Sequence, residues 1–238
     1  MSALYSTLST IGIFLAGLVV RFGLLVGVLL VLTVVFLIGL GIVRLAASLR
    51  RTVLGLGTAD GLAWKRKGYY APGHTWVESL GAQGIRLGFD DLAQKVLGEL
   101  TAITLPAPGT KLLEGQPLAE VACGSRRAVI PSPVSGTVLA RNDAVAGDPA
   151  IIHHDPYRRG WLLAVDPANT AYTRLLWGDA ARRWLRAESL RWSHFMEHQL
   201  QLHAADGGEF TAPGHSLLDA QQWDAMVQAF LQGPGTAD

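Results

Sequence analysis

Between Arg21 and Arg44 lie twenty-two residues, Phe22 to Val43, that carry no charge and a single hydroxyl, Thr33. As a helix this run covers about 33 Å, enough for the roughly 30 Å hydrocarbon core of a bilayer. It reads as a transmembrane helix rather than a cleaved signal peptide: it is too long, no basic segment precedes it, and no small-residue cleavage site follows. Arg44, Arg50, Arg51, Lys65, Arg66 and Lys67 follow against the single acid Asp60, whereas residues 1–20 carry no charged side chain. That bias places the bulk of the chain in the cytoplasm, on a single pass through a bacterial inner (plasma) membrane. The apolar residues IGIFLAGLVV before Arg21 would lengthen a continuous helix to about 52 Å. A two-helix hairpin turning at Arg21-Phe22-Gly23 is the alternative. Gly23 and Gly27 stand at the spacing that lets membrane helices approach backbone to backbone.

The remaining composition excludes several classes. Twenty Lys and Arg against nineteen Asp and Glu leave a net charge of +1, with no overall electrostatic reason to expect nucleic acid. One cysteine, Cys123, rules out an intramolecular disulfide framework and any multi-cysteine metal site. Phosphate loops, dinucleotide fingerprints and nucleophile elbows are absent.

The expected division is a membrane anchor over 1–50, a basic juxtamembrane linker over 51–67, a β domain over 68–167 and a helical extension over 168–238. WKRKGYY at 64–70 has the aromatic and basic composition of a chain leaving the headgroup layer. Beyond Gly68 come short β-type runs, TWVESL, QGIRLGF, ELTAITL, PLAEVAC, RAVIPS, GTVLARN and WLLAVDP, separated by turns such as Pro106-Ala107-Pro108-Gly109. Their close spacing predicts a small sandwich or barrel, interrupted by one helix in DDLAQKVLG at 90–98.

The motifs APGHTWVE, GFDDLAQKVLGEL, LPAPGTKLLEGQPLAEV, PSPVSGTVLARNDAV and HDPYRRGWLLAVDP, in that order, resemble the glycine cleavage H protein, a lipoyl carrier of the biotinyl/lipoyl hammerhead superfamily. The resemblance runs from about Gly68 to Pro167 and implies a barrel-sandwich hybrid of two interlocked hammerheads, with a lipoylated lysine at a hairpin tip. The family motif E-S-V-K leads into P-V-S-G. Here, anchoring on Glu120 puts Cys123 at the lysine position, and anchoring on Pro133 puts Ser125 there. Neither forms the lipoyl amide, and no lysine follows Lys111, so no cofactor is expected. Two readings of Cys123 stay open: a structural thiol, or a reactive one exposed at the tip and favoured by Arg126 and Arg127. The arginine pair itself is a solvated tip or a protein contact.

After residue 171 the sequence reads as helices. Leu175, Leu176, Ala180, Trp184, Leu185, Trp192, Phe195, Met196 and Leu200 recur at helical spacing from Thr173 to about His203. A second helix begins near Ser216, with an S-x-x-D cap to Asp219, and ends at Gly233. Trp184 and Trp192 suit either a docking surface or a face packed on the β domain. His194 and His198 match H-x-x-E-H with Glu197 and are weak metal candidates, with His203 near; no third ligand is evident. His153-His154 reads as a loop pair, and APGH at 71–74 and 212–215 as two similar turns.

The sequence therefore predicts a non-catalytic, membrane-anchored subunit that holds a larger membrane complex together, an electron-transfer assembly being one such complex. Its partners are the membrane and other protein subunits. A Cys123 carrier and a transient assembly factor are the alternatives.

Overall fold

The computed structural model describes residues 2–53, 55–200 and 217–233, which form two compact units, Met1–Leu54 and Gly55–Asp238. The first unit is one helix, α1 (Ser2–Val53). It runs unbroken through Arg21-Phe22-Gly23, so the hairpin alternative is not realised; nothing at that tripeptide forces a turn. Within α1 the segment Arg21–Ala46 is long and apolar enough to cross a membrane, and none of it is buried in the protein. At 1.5 Å per residue it covers about 39 Å.

The second unit opens with a hairpin, β1 (Leu56–Ala59) and β2 (Leu62–Lys65), turning at Asp60-Gly61 with both residues at positive φ. A seven-stranded sheet follows the spatial order β12-β3-β4-β5-β11-β10-β7. Its strands are β3 (Tyr69–Ala71), β4 (Thr75–Ser79), β5 (Ile85–Phe89), β7 (Lys111–Leu112), β10 (Gly136–Arg141), β11 (Trp161–Pro167) and β12 (Leu176–Trp177). A second sheet, β6-β8-β9, comprises Ala102–Thr104, Pro117–Cys123 and Arg126–Pro131. The helices are α2 (Asp91–Leu97), α3 (Asp143–Gly147), α4 (Ala150–His154), α5 (Gly178–Leu200) and α6 (Ala220–Met226); a π-helical turn, Val227–Leu231, continues α6. The architecture is thus an N-terminal apolar helix, a sheet-rich domain and C-terminal helices.

The 51–67 linker is corrected by this arrangement, because 56–65 is an integral hairpin. Leu62 and Trp64 are buried in the core. The Ala63 N–H donates to Asp91 Oδ2 (2.8 Å), and Tyr157 donates its hydroxyl to the Ala63 carbonyl (2.8 Å). The Lys65 N–H donates to the Tyr70 hydroxyl (2.6 Å). These bonds satisfy buried backbone groups that alternation in a four-residue strand does not announce. Two further expectations change. His153 and His154 end α4 rather than a loop. The long helix starts only at Gly178, after a short 3-10 turn at Ala171–Arg174, because Leu176 and Trp177 pair with Tyr70 and Tyr69 at the sheet edge and Gly178 takes φ 57°.

A recurring device stabilises the strand pairs: Trp64 lies across from Gly57, and Trp76 across from Gly88. A Cβ on Gly88 would sit 2.6 Å from the Trp76 ring, which is wholly buried. The glycine is the space that the indole fills. Replacing Gly88 by alanine therefore overpacks the core and is expected to cost about 1–3 kcal/mol, read as a lower Tm of the full chain by differential scanning calorimetry; an unchanged Tm would contradict this packing.

Candidate functional site

The β8–β9 hairpin is where the resemblance places an acceptor lysine. Its tip is Cys123-Gly124-Ser125-Arg126, with Cys123 paired to Arg126 and Gly124 at φ 63°. No lysine stands anywhere in β8, the tip or β9. Cys123 ends a strand of pattern PLAEVAC and turns inward, 2% exposed. Burial pushes its thiol up to about 12, an effect that the nearby Arg126 only partly offsets. The exposed, activated thiol that a Cys123 carrier needs is therefore absent, because alternation puts this position on the core face. Ser125 is exposed at the tip.

The β9 side of the tip is packed by the chain's own C-terminal helix, while Gly124 and Ser125 stay exposed. Arg126 donates a guanidinium N–H to the Leu218 carbonyl and lies over the Trp223 ring, 5.4 Å from its centre. Trp223 is 2% exposed and donates its indole N–H to the Arg127 carbonyl (3.3 Å). Local sequence aims this helix: Asp219 is the N-cap of α6, accepting from the Gln222 N–H (2.8 Å), while the Gln222 side chain accepts from the Asp219 N–H (2.8 Å). The expected cap at Ser216 lies outside the described residues, and Asp219 takes that role three positions later. Arg126 is thus an internal contact, whereas Arg127 keeps its side chain exposed.

α6 and its π turn are held from the other side by α5. Phe230 makes edge-to-face contacts with Trp192 (5.4 Å) and Phe195 (5.5 Å). Arg191 lies 4.2 Å over the Phe230 ring and donates to the Ala229 carbonyl (3.0 Å). Trp192 is consumed in this packing. Trp184 stacks on the His74 ring at 4.7 Å. Both tryptophans thus pack against the domain's core while remaining half-buried.

His74 is the polar centre of that packing. It sits at φ 55° in the turn Ala71-Pro72-Gly73-His74, its side chain wholly buried. Nδ1 lies 2.9 Å from Asp90 Oδ2 and Nε2 lies 3.4 Å from Glu188 Oε2. Asp90 Oδ1 also caps α2, accepting from the Leu92 and Ala93 N–H groups at 2.9 Å each. Burial alone would lower the His74 pKa, but the two carboxylates outweigh it and raise it to about 9. Burial likewise opposes ionisation of Glu188, yet hydrogen bonds from His74 and Arg191 hold it below the usual carboxylate range. A doubly protonated imidazolium with a donor toward each acid satisfies all three groups. Sequence reading passed over His74, Asp90 and Glu188; a Gly-His turn and an aspartate before an apolar helix were the only visible signals.

The remaining candidates are not assembled into a site. His194 is exposed, with Nδ1 3.6 Å from Glu197 Oε2, and His198 is exposed; His203 lies outside the described residues, as does APGH at 212–215. Among the described residues no group of three His, Cys, Asp or Glu could hold a metal ion. Gly23 and Gly27 face open space on α1.

The model of the glycine cleavage H-protein family matches residues 68–187. The chain belongs to the glycine cleavage H-protein family. It is 36% identical over 119 residues to the glycine cleavage system H protein of Mycobacterium avium, covering 48% of this chain and 90% of that protein. The corresponding protein of Micrococcus luteus is 38% identical over 103 residues, covering 43% and 80%. A solved H protein from Mycobacterium marinum aligns over 51% of this chain and 98% of its own at 27% identity, with a TM-score of 0.45. α1, the β1–β2 hairpin, Glu188 and all of α6 lie outside the residues that the family model matches.

Two outcomes follow for the full chain in detergent. The His74 contribution is complete below its unfolded value of 6.5 and is lost as pH rises toward 9. The Glu188 contribution is complete above 4.5 and is lost as pH falls. Stability from this cluster is thus fullest between those two values and declines from pH 6.5 to 9. The Glu188→Gln variant should show a shallower decline of Tm over that range, and an identical slope would exclude the ion cluster as its source. Separately, Cys123 should resist a thiol reagent under native conditions and react on unfolding. Trp223→Ala, a large-to-small change of about 3–5 kcal/mol, should speed native labelling; fast labelling of the unaltered chain would show that the tip is open.

Proposed function

We propose that this chain is a non-catalytic, membrane-anchored subunit, its H-protein-like domain on the cytoplasmic side, that scaffolds or stabilises a larger membrane complex. The observation that carries the reading is the hairpin tip: the acceptor lysine is missing, the cysteine nearest its place is buried, and Leu218 and Trp223 hold Arg126 and Arg127 on its β9 side. A carrier must present its group to several enzymes in succession, and a tip clamped by its own C-terminal helix is poorly built for that. The rest of the domain keeps its core and its sheets, as binding surfaces require.

The anchor supports the location. Arg21–Ala46 can cross a bilayer, and the basic residues that follow favour the cytoplasmic face. The chemistry of the family then becomes a shape: a rigid domain held at a membrane, with partners gathered around it. An electron-transfer complex is one assembly of this kind.

A carrier role competes because the curated relatives are H proteins. The two readings separate by intact mass. The tagged chain, extracted gently from its native membranes, should elute with other subunits at fixed stoichiometry and with no lipoyl adduct. A lipoyl mass on any of its four lysines, Lys65, Lys67, Lys95 or Lys111, would overturn the scaffold reading. A lone unmodified chain would point to a transient assembly factor instead.

A further inference from the structure

An open cleft of about 620 Å³ lies where the β1–β2 hairpin, β12 and the first turn of α5 converge. Its working residues are Trp64, Arg66, Trp177, Gly178, Asp179 and Arg182. Trp177 is 56% exposed, an unusual state for a tryptophan in a sheet. Arg66 and Arg182 are exposed and supply two guanidinium forks. α5 starts at Gly178, so the positive end of a 23-residue helix opens on the same space. Trp64 forms a wall at 7% exposure, and its indole nitrogen finds no acceptor among the described residues.

We infer that this cleft binds the headgroup of an anionic phospholipid. Guanidinium pairs and a helix N-terminus match a phosphodiester, and a half-exposed indole beside them matches the apolar-to-polar boundary of a bilayer. The one acid, Asp179, pairs with Arg182 Nε at 3.3 Å. Arg182 is half-exposed and Asp179 largely exposed, so this pair holds only weakly. Chain continuity selects a lipid over a free anion: Gly57 and Thr58, which border the cleft, are the fourth and fifth residues after the end of α1. A domain tethered so closely to an inserted helix meets headgroups at high effective concentration. The inference rests on the reading that α1 spans a bilayer.

The test uses the full chain in nanodiscs of phosphatidylcholine, of phosphatidylcholine with phosphatidylglycerol, and of phosphatidylcholine with soluble glycerol phosphate added. Amide hydrogen exchange is followed in residues 56–67 and 174–186. Exchange in both segments should slow about tenfold with phosphatidylglycerol alone, an effect reversed at high salt because it is electrostatic. It should also be lost in an Arg66→Glu, Arg182→Glu double variant whose Tm in phosphatidylcholine matches the unaltered chain. If that variant loses Tm, the single Arg182→Gln variant, at an exposed helix position, should still halve the effect. Equal exchange with and without phosphatidylglycerol overturns the inference, as does equal slowing by soluble glycerol phosphate. Failure of the chain to stay in any nanodisc after an alkaline wash overturns the anchor reading and this inference together; retention without a phosphatidylglycerol effect overturns this inference alone.

Discussion

The Asp90 carboxylate is the contact on which most of this domain turns. One oxygen caps α2 and the other holds His74, which in turn holds Glu188 of α5. Turn, helix and extension are therefore coupled through one buried acid. A buried ion pair is not by itself a source of large stability, since desolvation cancels much of its attraction. Its importance is that removing either partner strands a charge, at a cost of about 3–5 kcal/mol. The left-handed turn at His74 is the geometry that makes the coupling possible: it turns the imidazole inward beneath α5, where Trp184 stacks on it.

Through that coupling the extension becomes part of the domain. α5 reaches the core with Ala181, Leu185 and Met196, and its aromatic stripe receives Phe230 from the π turn. α6 is then carried to the hairpin tip, where Trp223 fills the space beside Arg126. The same residues that complete the fold thus brace the β9 side of that tip.

Most strands were legible because their residues alternate. PLAEVAC and WLLAVDP match β8 and β11 in both bounds, and the helix in DDLAQKVLG is α2 behind an aspartate cap. The hairpin at 56–65 was not legible. Its strands are four residues long, its surroundings are basic, and its burial depends on Asp91 and Tyr157, far away in the chain. The start of α5 was misplaced for a similar reason. Leu175 and Leu176 fit a helical period, but pairing with β3 satisfies the Leu176–Trp177 backbone and wins. Of the candidate site, the missing lysine was readable, whereas the burial of Cys123 and the contacts of Trp223 with Arg126 and Arg127 were not.

Taken alone, the sequence determined the apolar span, the family to which the β domain belongs and the absence of a lysine at the hairpin tip. These are properties of composition and order along the chain, and no folding changes them. Only the tertiary structure decided which way Cys123 faces, that Trp184 and Trp192 are spent on internal packing, and that Trp64, Trp177 and Arg182 share one cleft. Such facts depend on contacts between segments distant in the chain, made by sheet edges and helix faces that local periodicity does not encode.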